Sequence, residues 1–216
     1  MNLSLNPAVQ LPDQTNIKCV HELECDSLPK IQEEALEWIK KNTNFLDDKV
    51  SIGFWKTIND RDMVKSCPSL MKYMRSIRIP IREVTVGLLT ESMTSGFSLH
   101  NGSPPYNFKI NFPILNTEDV WTEWYKIPPE DCPKFGTRIN EHTGAEMYAF
   151  DKIHDQVQDL YPCLTRYNMH KCPIIFNSYI PHRVMPGPGA KYPRIMLATM
   201  PIKDPVELMT INKDNA

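Results

Sequence analysis

From Ile77 onward the sequence is a succession of short apolar segments, each bounded by proline, glycine, asparagine or aspartate. The segment IRIPIREVTVGLL alternates apolar and polar residues over much of its length, as a half-buried strand does. The chain contains 19 prolines, and proline at this density interrupts helices and suits short strands joined by turns. The pattern therefore predicts a strand-built region over residues 77–202. Its further strand candidates are SGFSLH, NFKINFPIL, VWTEWYKI, CPIIFNSYI and YPRIMLATMPI.

The first third of the chain has a different pattern, which predicts helices. Pro29 lies in the first turn of a helix that ends near Asn42, with lysines in its last turn. A second helical region runs from about Asp60 to Ser76, where Pro68 restarts it as a new helix. Helices followed by antiparallel strands indicate an α+β fold. So long a run of strands would close as a sandwich or jelly-roll barrel, which hides its edges.

No repeat, low-complexity run or linker divides the 216 residues, so the sequence predicts one domain. We expect an irregular arm over residues 1–20, helical support over 21–76, the strand core over 77–202 and a tail over 203–216. A long loop rich in proline, glycine and charge is predicted over residues 127–145. Such a loop is often an active-site lid or a binding surface.

Composition and charge argue against several classes of function. The net charge of −2 gives no basic field that would attract nucleic acid or an anionic membrane. No apolar run approaches the roughly 20 residues of a membrane span, and the N-terminal segment lacks the features of a signal peptide. The six cysteines show no zinc-site spacing, so reduced, mostly buried thiols are expected. These features predict a cytoplasmic location and leave the oligomeric state open.

Three side chains of the strand region have a specific arrangement. His100 ends one strand pattern, in the sequence His100-Asn101-Gly102, and His182 follows the strand IIFNSYI far downstream. Arg194 comes twelve residues after His182, across a Pro/Gly turn, at the head of the last strand. The remaining histidines lack such a context and are interpreted as ordinary: His21, His142, His154 and His170.

The arrangement resembles that of the iron(II)/2-oxoglutarate oxygenases, which use H-x-D on one strand, a distal His on another and an Arg shortly after it. The segments KINFPILN…WTEWY and PIIFNSYIPHRV also resemble small members of that superfamily from phages and marine bacteria. The resemblance covers roughly residues 77–202 and implies a cupin-like double-stranded β-helix with the helices outside. It further implies that His100 and His182 bind iron(II), and that Arg194 binds the far carboxylate of 2-oxoglutarate.

The third ligand position departs from the family's pattern, because the expected carboxylate is replaced by Gly102. Side chains at i and i+2 of a strand share a face, so Asn101 points away from a metal bound by His100. The 2-oxoglutarate-dependent halogenases have Gly or Ala at this position, which lets a halide bind the iron. The resemblance therefore implies Gly102 as a candidate halide site and chloride as an additional ligand.

The leading hypothesis is an iron(II)/2-oxoglutarate-dependent enzyme, either a halogenase or an unusual oxygenase, that acts on a small-molecule or monomeric substrate. Lys109 and Asn177 lie on strands that would flank the iron pocket, where either could hydrogen-bond 2-oxoglutarate. A solvent-facing or turn-satisfying role is an equal alternative for both. The competing hypothesis is a degenerate barrel without iron, which serves as a binding or structural protein such as a virion or assembly component.

Overall fold

The structure is a computed structural model that describes residues 17–47, 55–58, 62, 65–93, 96–101, 108–139 and 146–210. Helix α1 spans Leu28–Asn42 and helix α2 spans Pro68–Ser76. Each helix has a proline at its start, where the missing N–H is not needed. The predicted first helix is confirmed, and so is the new helix start at Pro68. In the described part of the chain no helix is long and apolar enough to cross a membrane.

Strands account for most of the remaining regular structure. Nearly all lie within the predicted strand region, while two short ones precede it. Two further short helices are α3, Val157–Leu160, and α4, Val206–Met209. In chain order the strands are β1 Val20–Glu22, β2 Trp55–Ile58, β3 Ile81–Leu89, β4 Phe97–His100, β5 Phe108–Leu115, β6 Val120–Tyr125, β7 Thr137–Ile139, β8 Glu146–Tyr148, β9 Cys163–Asn168, β10 Ile174–Asn177, β11 His182–Pro186 and β12 Arg194–Pro201.

Two antiparallel sheets pack face to face as a sandwich. The larger sheet has the strand order β1-β10-β5-β12-β3-β2, and the smaller has the order β4-β11-β6-β9. Strands β7 and β8 form a separate two-stranded sheet. The α+β prediction is confirmed, and the strand order is consistent with a jelly roll.

The larger sheet uses its two faces differently. Val84, Val86 and Leu88 of β3 alternate toward the helices and belong to the same buried cluster as Ile31 and Leu70. The opposite face contributes to the space between the sheets, where Trp124 of the smaller sheet contacts Phe176 at a centroid distance of 4.9 Å. The helices therefore cover the outside of the sandwich, and its interior is left to the two sheets.

The segment predicted as a loop over residues 127–145 is partly ordered structure. A 3-10 turn spans Cys132–Phe135, and β7 follows it. Cys132 and Phe135 are buried in a second small core with Leu99 of β4 and Phe150. The loop prediction is therefore wrong for residues 132–139, because apolar side chains spaced among the prolines anchor this segment against β4. Residues 140–145 lie outside the described part.

The described parts of the predicted arm and tail, residues 17–20 and 203–210, contact each other. The Lys18 N–H donates to the Met209 carbonyl at 2.8 Å, and Ile17 forms an isolated antiparallel bridge with Thr210. Met209, in α4, is fully buried. The sequence pattern did not predict this contact, which joins the segment before β1 to the end of α4.

All six cysteines lie in the described part of the chain, and each is a free thiol. Cys19, Cys67 and Cys132 are buried, whereas Cys163 is exposed. Burial raises the pKa of the Cys67 thiol to about 12 and that of Cys19 to about 11. The prediction of reduced thiols agrees with the structure, although only half of them are buried.

Candidate metal centre

The structure brings His100 and His182 together. They are partners in the β4–β11 ladder, and their ring centroids lie 4.4 Å apart. His100 is the last residue of β4 and His182 the first of β11. Both line one cavity between the two sheets. The antiparallel pairing of two strand ends therefore places the two predicted metal ligands side by side.

Backbone carbonyls fix the tautomer of both imidazoles. Nδ1 of His100 lies 2.6 Å from the Ser98 carbonyl oxygen, and Nδ1 of His182 lies 2.8 Å from that of Ile180. A carbonyl oxygen only accepts, so each Nδ1 carries the proton and donates it. In a neutral imidazole the remaining nitrogen, Nε2, then keeps its lone pair. Metal-binding histidines are commonly oriented by this kind of hydrogen bond.

Burial keeps both imidazoles neutral at neutral pH. It lowers the pKa of His100 to about 4, and the cations of Lys109 and Arg138 act in the same direction. Burial also lowers the pKa of His182 well below its usual range, with further contributions from His100 and Lys109. A neutral imidazole is the form that binds a metal ion. The site therefore offers two Nε2 ligands without a competing proton.

Arg194 lies in the same cavity with its charge uncompensated by the described residues. The residue is 2% exposed, and its Nε atom has no hydrogen-bond partner in the described part of the chain. No ion pair joins it to any described carboxylate. One terminal nitrogen contacts the Met196 sulfur. Burial lowers the pKa of Arg194 to about 10. A buried guanidinium without an anion is costly, so this arrangement suits a ligand carboxylate.

Lys109 and Asn111 of β5 also line the cavity. Burial lowers the pKa of Lys109 to about 8, against the opposing effect of Glu83. The buried Oδ1 of Asn111 has no hydrogen-bond partner in the described part of the chain, so it can accept from a ligand or water. The sequence reasoning missed Asn111. Its signal was present, because residues 109 and 111 share one face of a strand.

Asn177 is not among the residues that line the cavity. Its side-chain NH₂ donates to the Lys18 carbonyl at 3.1 Å, and its Oδ1 accepts from the Tyr179 N–H at 3.0 Å. The neighbouring Phe176 faces the cavity, and successive side chains of a strand point to opposite faces. Asn177 therefore joins the end of β10 to the N-terminal segment, which matches the turn-satisfying alternative.

Gly102 lies outside the described residues. Its neighbour Asn101 is buried, and the Oδ1 atom of Asn101 has no hydrogen-bond partner in the described part of the chain. Among the described residues no group of three or more His, Cys, Asp or Glu side chains could hold a metal ion. The two imidazoles are thus the described side chains available to a metal, and further donors would have to come from bound ligands.

The cavity is small and cationic. Its volume is about 180 Å³, below the roughly 300–1,000 Å³ of most small-molecule sites. Arg138 of β7 lines it as a third cation beside Lys109 and Arg194, and no described lining residue is a carboxylate. Sequence reasoning missed Arg138, because only tertiary contacts bring β7 to this cavity. The remaining walls are mainly apolar: Phe97, Met169, Phe176, Val184 and Met196.

A second buried arginine lies directly behind the site. Arg183 follows His182 on β11 and points to the opposite face of the smaller sheet. Its Nε donates to Glu123 Oε2 at 2.8 Å, and its terminal nitrogens donate to the His154 carbonyl at 2.6 Å and to Gln158 Oε1 at 3.0 Å. The guanidinium also lies 5.3 Å from the centroid of the Tyr125 ring. Every nitrogen of this guanidinium therefore has a partner.

On the same outer side of the smaller sheet, His154 contacts β4, the strand that carries His100. The Leu99 N–H of edge strand β4 donates to Nδ1 of His154 at 3.1 Å, and both residues are buried. Because Nδ1 accepts there, the proton of a neutral His154 is on Nε2. This side chain satisfies a backbone group that β11 leaves unpaired. His154 was interpreted as ordinary from the sequence, and its contact supports the position of β4.

No protein-family model matches the chain, and no curated protein matches it in sequence. These comparisons therefore lend no support to the resemblance, and any functional argument depends on the chemistry of the cavity. That chemistry combines two neutral imidazoles, one buried guanidinium without a described counter-ion and a small volume.

Proposed function

We propose that the protein is a non-haem iron(II)/2-oxoglutarate-dependent oxidative enzyme. The observation that carries this proposal is the buried Arg194, which lies without a described anion in the same small cavity as His100 and His182. Both imidazoles could bind one divalent metal ion, and a dicarboxylate would supply the anion for Arg194. A metal ion with a bound 2-oxoacid would therefore supply both the metal for the imidazoles and the carboxylate for Arg194.

The proposed fold is a double-stranded β-helix. Eight strands divide equally between the sheets, with β3, β5, β10 and β12 in the larger and β4, β6, β9 and β11 in the smaller. In both sheets strands that are distant in sequence become neighbours, as two interlocked Greek keys require. Strands β1 and β2 extend the larger sheet at its two ends. In such a barrel the cavity lies between the two sheets, where His100 of β4 and His182 of β11 line it.

In this proposal each site residue has a separate task. His100 and His182 would hold iron(II), which together with 2-oxoglutarate would activate dioxygen, the oxidant for reaction at a substrate C–H bond. Arg194 would bind the far carboxylate of 2-oxoglutarate through parallel hydrogen bonds. Lys109 would add positive charge beside it, and Asn111 Oδ1 would orient a donor group or water. The apolar walls would exclude bulk water.

The glycine at position 102 favours a halogenase within this class. Its lack of a side chain would leave a coordination position for chloride. A second candidate function is a non-catalytic barrel that binds a small anion. The observation in its favour is that the described residues supply only two metal ligands. We also propose a cytoplasmic location, which the six free thiols support.

The proposal is tested by anaerobic titration of the protein with iron(II) and 2-oxoglutarate. We expect a metal-to-ligand charge-transfer absorption band, which chloride perturbs. His100→Ala and His182→Ala should abolish the band. The matched control is His170→Ala, because the described contacts of this histidine are only local, with Asn168; this variant should keep the band.

The dependence of iron affinity on 2-oxoglutarate distinguishes the candidates. Two protein ligands hold iron weakly, so affinity should rise strongly when 2-oxoglutarate adds its two donors. Gly102→Asp should reduce this dependence and remove the response to chloride. Equally tight iron binding with and without 2-oxoglutarate would contradict the proposed ligand set. Absence of both iron and 2-oxoglutarate binding would leave the non-catalytic barrel.

A further inference from the structure

We propose that the mouth of the cavity contains a second anion-binding subsite, centred on Arg138, which recognises a carboxylate or phosphate group on the primary substrate. This inference rests on the proposed function for the identity of the inner ligand. It adds the chemical class of the molecule on which the enzyme acts. Arg138 would thereby determine specificity without holding the metal or 2-oxoglutarate.

Arg138 lies at the solvent end of the cavity. Its side chain is 40% exposed, whereas Arg194 in the same cavity is 2% exposed. Arg138 comes from the separate β7–β8 sheet, and its charge acts on the imidazole of His100. The cavity is therefore lined by one buried arginine and by another that is open to solvent.

The fold holds Arg138 in place. The preceding Thr137 donates its hydroxyl to Glu146 Oε1 at 2.6 Å, which ties β7 to β8. Gly136 has a φ of 71°, which glycine adopts without strain, and its carbonyl accepts from the Ala149 N–H at 3.0 Å. The buried Phe135 anchors the base of this hairpin in the second core. Arg138 therefore extends from a β7–β8 hairpin that these contacts hold in place.

The charges at the cavity leave Arg138 available for a ligand. Its ion-pair partner is Asp151 at 3.4 Å, and both side chains are 40% exposed. Such an exposed pair contributes only about 0.2–1 kcal/mol, so a ligand anion can replace Asp151 at small cost. Iron(II) and 2-oxoglutarate carry equal and opposite formal charges. Loading both would therefore add no net charge at the cavity, and Arg138 would keep only its exposed pair with Asp151.

The size of the cavity places the substrate at this entrance. A volume of about 180 Å³ suits one small oxoacid. A substrate bound in addition to this oxoacid would exceed the described volume and extend to the mouth, beside Arg138. An anionic group on that substrate would meet Arg138 first. The guanidinium would then fix the register of the substrate relative to His100 and His182.

The test follows the side-chain Nε–Hε resonances of ¹⁵N-labelled arginine in the whole protein. Signals are assigned with Arg138→Gln, Arg194→Gln and Arg166→Gln. The probes are acetate and methyl phosphate at constant ionic strength and constant chloride. They are added to protein loaded with zinc(II), a diamagnetic substitute for iron(II), and saturating 2-oxoglutarate, and also to protein without either. The matched control is Arg166, an exposed arginine outside the cavity that also pairs with one carboxylate.

We expect one or both probes to shift the Arg138 signal saturably while Arg166 stays unchanged. Which probe binds more tightly distinguishes a carboxylate from a phosphate. Arg138→Gln should weaken probe binding at least about tenfold, the loss of a charge-assisted hydrogen bond. Asp151→Asn should strengthen it up to about fivefold, because it removes the competing carboxylate.

Three results would overturn the subsite: equal shifts at Arg138 and Arg166, shifts at Arg194 alone, or no shift at Arg138 in either form of the protein. Failure of the proposed function is seen separately, as an Arg194 signal that does not respond to zinc(II) and 2-oxoglutarate. In that case the metal-free titration still decides whether Arg138 binds anions.

Discussion

Two buried arginines lie on opposite sides of the smaller sheet, and they differ in whether the described residues supply a counter-ion. On the outer face, Arg183 has a partner for each nitrogen, including the carboxylate of Glu123. In the cavity on the inner side of the sheet, Arg194 is equally buried and has no described anion. The two residues have the same chemistry and similar burial, so the difference between them lies in the environment that the fold provides.

The comparison teaches how to separate a structural charge from a binding charge. A buried charge with a complete set of partners stabilises the fold, because removing it leaves those partners unpaired. A buried charge without a counter-ion costs free energy until a ligand supplies one. Arg183 belongs to the first kind and Arg194 to the second, although neither the residue type nor the exposed fraction distinguishes them.

The largest expected effect is a loss of folding stability when Arg183 is replaced, with no comparable loss when Arg194 is replaced. Arg183→Met should lower the free energy of unfolding by about 3–5 kcal/mol, because Glu123 loses its buried partner. Arg194→Met should leave the ligand-free protein within about 1 kcal/mol of wild type, or more stable. Equilibrium urea unfolding measures both. A large destabilisation by Arg194→Met would show that the fold, and not a ligand, needs this charge.

The second effect is on ligand affinity, and it should fall on Arg194. Arg194→Met should weaken 2-oxoglutarate binding about ten- to a hundredfold, the value of a hydrogen-bonded charge pair at about 1.5–3 kcal/mol. Calorimetric titration of the metal-loaded protein under anaerobic conditions measures the loss. Arg166→Gln is the control and should bind 2-oxoglutarate as wild type does. Unchanged affinity in Arg194→Met would remove the argument for an oxoacid at this position.

The third effect is on the pH dependence of stability, which should differ between His100 in the cavity and Glu123 on the outer face. In the unfolded chain a histidine takes up its proton near pH 6.5, whereas folded His100 does so near pH 4. The unfolded state therefore binds more protons in this window, and metal-free protein should lose stability as pH falls from about 6.5 to about 4. His182, whose pKa is also lowered, contributes in the same window, so His100→Gln should make this part of the curve less steep without removing its slope. A wild-type curve already flat there would contradict the burial of a neutral imidazole.

The outer face should respond only at lower pH. Burial would raise the pKa of Glu123, but hydrogen bonds from Tyr125 and Arg183 lower it overall. A carboxyl group with a lowered pKa stabilises the fold above its usual value of 4.5 and loses this contribution as pH falls further. Glu123→Gln should therefore alter the stability curve below about pH 4.5 and leave the histidine window intact.

The smallest expected effect tests whether both arginines that pair with Glu123 contribute to stability. Arg166 also pairs with this carboxylate, at 3.3 Å, but its side chain is 55% exposed. Arg166→Ala should change the free energy of unfolding by no more than about 1 kcal/mol, because water and salt screen such a pair. Urea unfolding beside Arg183→Met gives a direct comparison. Equal losses in the two variants would mean that burial does not decide the strength of these pairs.

The inner part of the candidate site was predictable because it depends on strand ends. His100 and His182 lie where strand patterns stop or start, and antiparallel pairing brings these two ends together. Arg194 begins a strand of the other sheet, and the packing of the two sheets brings it into the same cavity. The alternation of side chains could also have added Asn111 and removed Asn177 from the predicted set. What these positions share is a local periodicity that the sequence displays directly.

The entrance of the site was not predictable, because it depends on contacts between distant segments. Arg138 reaches the cavity through the small core that Cys132 and Phe135 form with β4. Those apolar residues stand among prolines and charges without a helix or strand period. The pattern therefore indicated a loop, although burial of a few side chains was enough to order the segment.

The hydrogen bonds from the two imidazoles to the carbonyls of Ser98 and Ile180 have a consequence for sequence drift. Both acceptors are main-chain atoms two residues before each histidine, so they survive any side-chain substitution that preserves the strand conformation. The orientation of His100 and His182 is consequently inherited with the backbone. A descendant that lost Arg194 would still present the same pair of imidazoles, which makes the arginine a better marker of the proposed activity than the histidines.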